Sequence, residues 1–397
     1  MSGIMNYLQK NDLIDFSLQY YSLSVLHCLL FYCCEYFHNP FLFLFLIFSV
    51  LPLLDIFLPI DERNPTESEY KTMIKQIRFK IPIYVGIFTD WIIYVYCIKK
   101  IMTGDNGIFF NIGLFLSLSI IEGASINMSH ELNHKVGFFT KFIGVTALIK
   151  NFYTHFLIEH NYYHHVWVST PTDSATSKLN ENIWSFVLTS MRQNYWHAWS
   201  LENKRCEEKY GTIWTVNNFM IYTTIVTILF PLSGFYFYGI KGVLLQIGIG
   251  FVSSSFLEII NYIEHYGLRR RFITPLGKYE PVTIHHSWNA PFRMSNYLLI
   301  KLQRHSDHHE NALKPYQVLA SYPESPALPQ GYSVCLIIAM IPSIWFEIMN
   351  PLVEIYSKKQ KPSKELLGKI NSIIYWYLAK VFIFTFGLSC AAFYIKN

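Results

Sequence analysis

Eight of the chain's fifteen histidines fall in three short strings, and the fold has to bring those strings together. They are His130-Glu131-Leu132-Asn133-His134, Glu159-His160-Asn161-Tyr162-Tyr163-His164-His165 and Leu302-Gln303-Arg304-His305-Ser306-Asp307-His308-His309. A ninth histidine, His265, stands in Asn261-Tyr262-Ile263-Glu264-His265-Tyr266-Gly267. Random scatter does not produce H-x3-H, H-x3-H-H and H-x2-H-H in one chain. Imidazole is a good ligand for iron, copper and zinc, and eight or nine ligands are about twice what one ion takes. The spacing therefore argues for two metal ions.

On a helix, residues four apart share a face. His130 and His134 are thus expected to reach one ion, as are His160 and His164. His165, His308 and His309 extend the set to a second ion. Each string also carries an acid beside a histidine: Glu131, Glu159, Glu264 and Asp307. A ligating imidazole usually gives its other N–H to a carboxylate or carbonyl, so these acids are expected to brace the rings rather than bind metal. A mostly imidazole shell suits iron that binds and activates O2. His130-Glu131-x-x-His134 is also the zinc-protease pattern H-E-x-x-H, but that reading leaves six or seven clustered histidines unexplained. His27, His38, His155 and His197 read as core or interfacial polar residues. His285 and His286 lie between His265 and the third string and are weaker candidates for lining the site.

The setting is a membrane. The chain of 397 residues is 52% hydrophobic and only 15% charged, against about 25% in soluble domains. Apolar stretches near 20–37, 41–59, 80–98, 107–128, 217–238 and 240–262 approach the ~20 residues of a bilayer-spanning helix. With the N-terminus inside, segments 1–19, 60–80, 129–212 and 263–332 hold 22 Lys and Arg, and the opposite links hold only Lys99, Lys100 and Lys241. That asymmetry follows the positive-inside rule, and it puts all nine histidines on the cytoplasmic side. The segment 333–348 contains Pro342 and suits a re-entrant or surface-lying helix. Segment 373–394 is long enough to cross, and Lys358, Lys359, Lys361, Lys364 and Lys369 precede it. The expected fold is an all-α integral membrane protein with about six transmembrane helices and a cytoplasmic helical cap holding a histidine-rich di-iron site. Residues 1–355 form that unit; 356–397 form a basic linker and an extra C-terminal helix. None of the seven cysteines pairs as C-x-x-C, which excludes a zinc ribbon, an iron–sulfur site and a thioredoxin motif. No basic stripe suggests nucleic acid. Residues 1–16 are polar and show no cleavable signal peptide.

At the four strings above the chain resembles the alkane 1-monooxygenase family, the membrane-bound non-haem di-iron alkane hydroxylases. Softer matches are Pro52-Leu53-Leu54-Asp55, Thr170-Pro171-Thr172-Asp173, His286-Ser287-Trp288-Asn289 and Leu328-Pro329-Gln330-Gly331-Tyr332. The likeness runs from about residue 40 to about residue 355. Three histidine patterns alone would also fit fatty acyl desaturases and hydroxylases; the Asn261 and Leu302 strings narrow it. The resemblance implies terminal hydroxylation of an n-alkane or alkyl chain to a primary alcohol, with O2 and with electrons from a rubredoxin and its reductase. It implies that His130, His134, His160, His164, His165, His265, His305, His308 and His309 are the ligands of two irons. In the family a bulky residue of the second span limits chain length, which points here to Ile47 or Phe48. Tyr163 and Asn133 depart from the family, where Gly is common, and bulk there is expected to reshape the site. Arg269, Arg270 and Arg271 are more basic than usual and are a candidate docking place for an acidic donor. A fatty acyl hydroxylase or desaturase is the nearest alternative, and a non-catalytic metal- or lipid-binding membrane protein the more distant one.

Overall fold

The computed structural model describes residues 17–395; the stretch 1–16, and with it the reading of its leader, lies outside the described residues. The described chain is mostly helical, with loops between the helices, a pair of two-residue strands that sets Phe272 opposite Tyr279, and one isolated bridge from Asn289 to Ala327. Among the described residues five helices are long and apolar enough to cross a membrane: Pro40–Phe57, Ile77–Thr103, Ile108–Asn133, Phe219–His265 and Lys364–Tyr394.

The fourth of these has 47 residues. Straight, it would run about 70 Å, more than twice the ~30 Å hydrocarbon core. It folds back at Gly239, whose φ of 61° and ψ of −154° suit glycine. Beyond the bend its two arms touch: a Cβ on Gly242 would lie 2.4 Å from the Gly234 carbonyl oxygen, and Gln246 donates to Ser233 at 3.2 Å. The two expected spans at 217–238 and 240–262 are this hairpin.

The expected first span is shorter than predicted. Its helix, Ser22–Glu35, has 14 residues, about 21 Å at 1.5 Å per residue. The polar residues that interrupt it are both used. Glu35 accepts from Tyr96 Oη at 2.5 Å and from Lys100 at 2.8 Å. His27 meets Thr89 at 2.9 Å and Ser125 at 3.2 Å.

Within the loop 129–212 the chain packs back against the long helices. After the first histidine string the short apolar helix Phe138–Ile149 ends at Lys150, which is fully buried. Its ammonium lies 2.5 Å from Asp90 of the Ile77–Thr103 helix and also pairs with Glu122 of the Ile108–Asn133 helix. A buried cation needs such partners, so Lys150 does not belong among the loop charges that fix orientation.

Segment 333–348 is two helices, Tyr332–Ala339 and Pro342–Ser357. Proline disfavours helical geometry in the residue before it, and Ile341 breaks the chain there with φ −116° and ψ 87°. Trp345, Ile348 and Leu352 are buried in the same core as Tyr262 and Tyr266. The C-terminal helix Lys364–Tyr394 runs along Pro40–Phe57: Asn39 donates to the Ser389 carbonyl at 2.8 Å, and the Ser49 and Thr385 hydroxyls are 2.8 Å apart. Asn39 also caps its own helix, accepting from the Leu42 N–H with Pro40 in the first turn.

Candidate metal centre

Two long helices carry histidines to one end of the bundle. His130 lies in the last turn of Ile108–Asn133, His134 caps it, and His265 is the last residue of Phe219–His265. Both helices run further than the expected limits of 128 and 262, so these histidines stand on rigid helix rather than in loops. The other six come from the turn around His160 and the short helix His305–Glu310. Eight of the nine are buried and His165 is half-buried.

Their ring nitrogens converge on two places. His130, His134, His160, His165 and His308 form one group, and His164, His265, His305 and His309 the other. In the first, Nε2 of His130 lies 2.9 Å from that of His160, 3.1 Å from His308 and 3.2 Å from His134. In the second, Nε2 of His305 lies 3.1 Å from that of His265 and 3.0 Å from His309. Nitrogens bonded at about 2.1 Å and set at right angles are about 3.0 Å apart, so both groups have the spacing of ligands sharing an ion. The groups adjoin: the rings of His165 and His309 are 4.4 Å apart. Burial first, and then the neighbouring rings, hold His134, His160, His165, His305, His308 and His309 well below the ordinary imidazole pKa. They are neutral, the form that binds metal.

The expected pairing of His160 with His164 is corrected. Residues His160–His164 form a π-turn, in which the His165 N–H bonds to the His160 carbonyl. This wider turn brings residues five apart, not four, onto one face. His160 therefore shares its group with His165, their Nε2 atoms 3.1 Å apart, and His164 turns to the other group. The helix His305–Glu310 keeps ordinary spacing, so His305 pairs with His309 and His308 faces away.

Of the four acids expected to brace imidazoles, Glu131 and Asp307 have other contacts. Glu131 pairs with Lys135 at 2.7 Å. Asp307 accepts from Lys314 and from the Ala320 N–H, each at 2.6 Å, and so fastens the following loop. Glu159 is buried, and its Oε1 has no hydrogen-bond partner among the described residues. Glu264 lies 3.3 Å from Nε2 of His305, on the converging side of that ring rather than behind it. The carboxylate that does brace a ring is Asp173, 2.9 Å from Nδ1 of His164, leaving the buried Nε2 without a protein partner. Asp173 also accepts from Thr176 at 2.5 Å. Its sequence signal was the Thr170-Pro171-Thr172-Asp173 string, which no spacing argument connects to a histidine.

The His286 ring meets the Thr283 N–H at 3.0 Å and Glu280 at 3.4 Å and belongs to neither group. The His155 ring packs at a tilt against Tyr153 with ring centres 4.3 Å apart, and burial pushes its pKa down to about 3. Tyr163 points outward, stacked on His197 at 4.0 Å and donating to the Thr172 carbonyl at 3.3 Å, so its bulk does not enter the site. Asn133 packs against Gly144, where a Cβ would meet its Oδ1 at 2.8 Å. Arg270 is held by the carbonyls of Glu280 at 2.7 Å and Val166 at 2.8 Å, whereas Arg269 and Arg271 are exposed.

A cavity of about 120 Å3 is lined by apolar side chains, Ile47, Phe48, Leu51 and Ile260 among them, together with His130, His160, His305 and Glu264. Both groups thus face the same space.

A fatty acid desaturase family profile matches residues 107–335. The chain is 38% identical to alkane 1-monooxygenase 2 of Alcanivorax borkumensis over 78% of its length and 81% of the relative's. This chain belongs to the alkane 1-monooxygenase family. An alkane 1-monooxygenase of Pseudomonas putida is 35% identical over 77% of this chain and 76% of its own length. The xylene/toluene monooxygenase hydroxylase component of Pseudomonas putida is more distant, 25% identical over 76% and 79%. As a family member the chain is an integral membrane monooxygenase.

Proposed function

We propose that this chain hydroxylates the terminal carbon of medium- or long-chain n-alkanes, with O2 and electrons from a rubredoxin or a similar small donor. One observation carries the reading: a single largely apolar cavity is lined both by Ile47 and Phe48 and by histidines of both groups, His130, His160 and His305. The nine histidines fit two irons, five around one and four around the other, on the spacing, burial and neutrality described above. Irons held there would supply dioxygen activation, chemistry that belongs to the metal. The chain's own part is positional. Leucine, isoleucine and phenylalanine walls take up an unfunctionalised chain and exclude water. Helix ends hold His130 and His265 rigidly, so the chain end meets a fixed site. Asp173 fixes the orientation of His164. Glu264, at the cavity end beside His305, is placed to bind metal or hold a proton at its carboxylate. The exposed Arg269 and Arg271 offer positive charge to an acidic donor.

The desaturase profile favours one second reading, an acyl chain as substrate. Membranes bearing the protein, a rubredoxin and its reductase should convert an alkane (among chains of roughly C6 to C18) to the primary alcohol, read by mass spectrometry. Products from acyl chains alone, with two irons bound per chain, would move the protein to the lipid hydroxylases or desaturases. Ile47→Ala and Phe48→Ala should each lengthen the accepted chain; an unchanged product profile in both would remove these residues from the channel wall.

A further inference from the structure

The cavity at the histidines is not isolated from the bilayer side of the molecule. A second apolar hollow of about 500 Å3 lies between the helix Pro40–Phe57 and the C-terminal helix Lys364–Tyr394. Pro52, Leu53 and Ile56 form one wall; Tyr375, Ala379 and Phe382 form the other. Its rim faces outward, with Phe57, Tyr375 and Ile383 among the exposed large side chains. Phe48 lines both this groove and the cavity that ends on His130 and His305. The two spaces therefore share the partly buried ring of Phe48 in their walls.

The backbone is irregular at that ring. Residues Leu46–Val50 form a π-turn, a form that often marks functional positions. Within it Ile47 faces the cavity, Ser49 meets Thr385 of the C-terminal helix at 2.8 Å, and Phe48 lies between. Phe45 adds edge contacts to Phe382 at 5.2 Å and to Phe386 at 5.7 Å. Only 22% of the apolar window of the C-terminal helix is buried, so this helix is a thin outer wall, not a core element. An alkyl chain is dissolved in the bilayer, and a route through water would hydrate each methylene at a cost. An apolar groove that meets the cavity at one side chain avoids that.

We propose that this groove is the lateral entrance through which an alkyl chain passes from the bilayer to the histidine-lined cavity, with Phe48 as its gate and the C-terminal helix as its outer wall. The inference rests on the alkyl-chain reading above and adds the site of entry, a passage walled by Tyr375 and Phe382.

Ala379→Trp fills the groove without touching the cavity. It should lower kcat/KM for a long alkane by about tenfold or more while leaving kcat and iron content as in the parent, the signature of lost access rather than lost chemistry. An unchanged kcat/KM would overturn the proposal. A variant that loses iron has misfolded, and the unmodified protein then decides: an alkyl diazirine in the membrane should label residues 48–57 and 375–383, and excess alkane should suppress that label. Labelling elsewhere, or labelling that alkane does not suppress, would overturn the entrance. The same labelling with an acyl diazirine separates the two ideas. If only acyl chains are turned over, the alkane reading fails, while suppressible acyl labelling of the groove still supports the entrance.

Discussion

Sequence neighbours part company at this site: His164 and His165 face different groups, as do His308 and His309. Two such junctions tie the groups together, so removing one ring is expected to unload one place before the other. His265→Ala, in the four-histidine group, should lower bound iron from two per chain towards one, read by metal analysis; two irons in that variant would show that His265 is not a ligand. Asp173→Asn leaves every ring in place but replaces the carboxylate behind His164. Loss of such a partner typically costs 10–100-fold in metal affinity, so this variant should lose iron to a chelator at correspondingly lower concentration. Parent-like retention would mean that Asp173 serves only the Thr176 turn.

Among the elements, the turn His160–His164 decides which ring goes where. A π-turn contains one residue more than the α-helical path. Deleting Tyr162, which is exposed, should restore α geometry and swing His164 and His165 by about 100° relative to His160. The deletion should abolish two-iron binding, whereas Tyr162→Ala should retain it; iron retained in the deletion would show that the π-turn is dispensable. The short helix Phe138–Ile149 depends on a different device. Lys150→Met leaves Asp90 and Glu122 facing each other without a cation, and breaking a buried pair typically costs about 3–5 kcal/mol. Unfolding in detergent should show a loss of that order; a loss under 1 kcal/mol, the range of exposed pairs, would place Lys150 in water.

For the whole molecule, the histidine cluster couples metal to folding. Burial depresses these imidazoles in the folded protein, so below about pH 6.5 the unfolded chain binds more protons than the folded one. Stability of the iron-stripped protein should therefore fall as pH drops from 7.5 to 5.5. Bound iron stabilises by mass action, so the iron-loaded protein should melt higher at pH 7.5. Melting temperatures of the stripped protein that do not change across that range would contradict the buried, neutral cluster.

The sequence alone determined the class of molecule and the identity of the nine histidines, because both are written in composition and spacing: long apolar runs have few places other than a membrane, and eight clustered imidazoles have few uses other than metal. Composition and spacing did not single out Ile47 and Phe48; the family resemblance pointed to them, and both line the cavity. Only the tertiary structure decided the five-and-four division, since a π-turn and an α-turn look alike as H-x3-H-H. It replaced the four neighbouring acids with Asp173, because a bracing carboxylate is chosen by ring direction and not by adjacency in the chain. It packed 138–150 back against the long helices, where Lys150 meets charges 60 and 28 residues earlier in the chain. Finally, it set the C-terminal helix against the second span, a contact between residues more than 300 positions apart that no local pattern encodes.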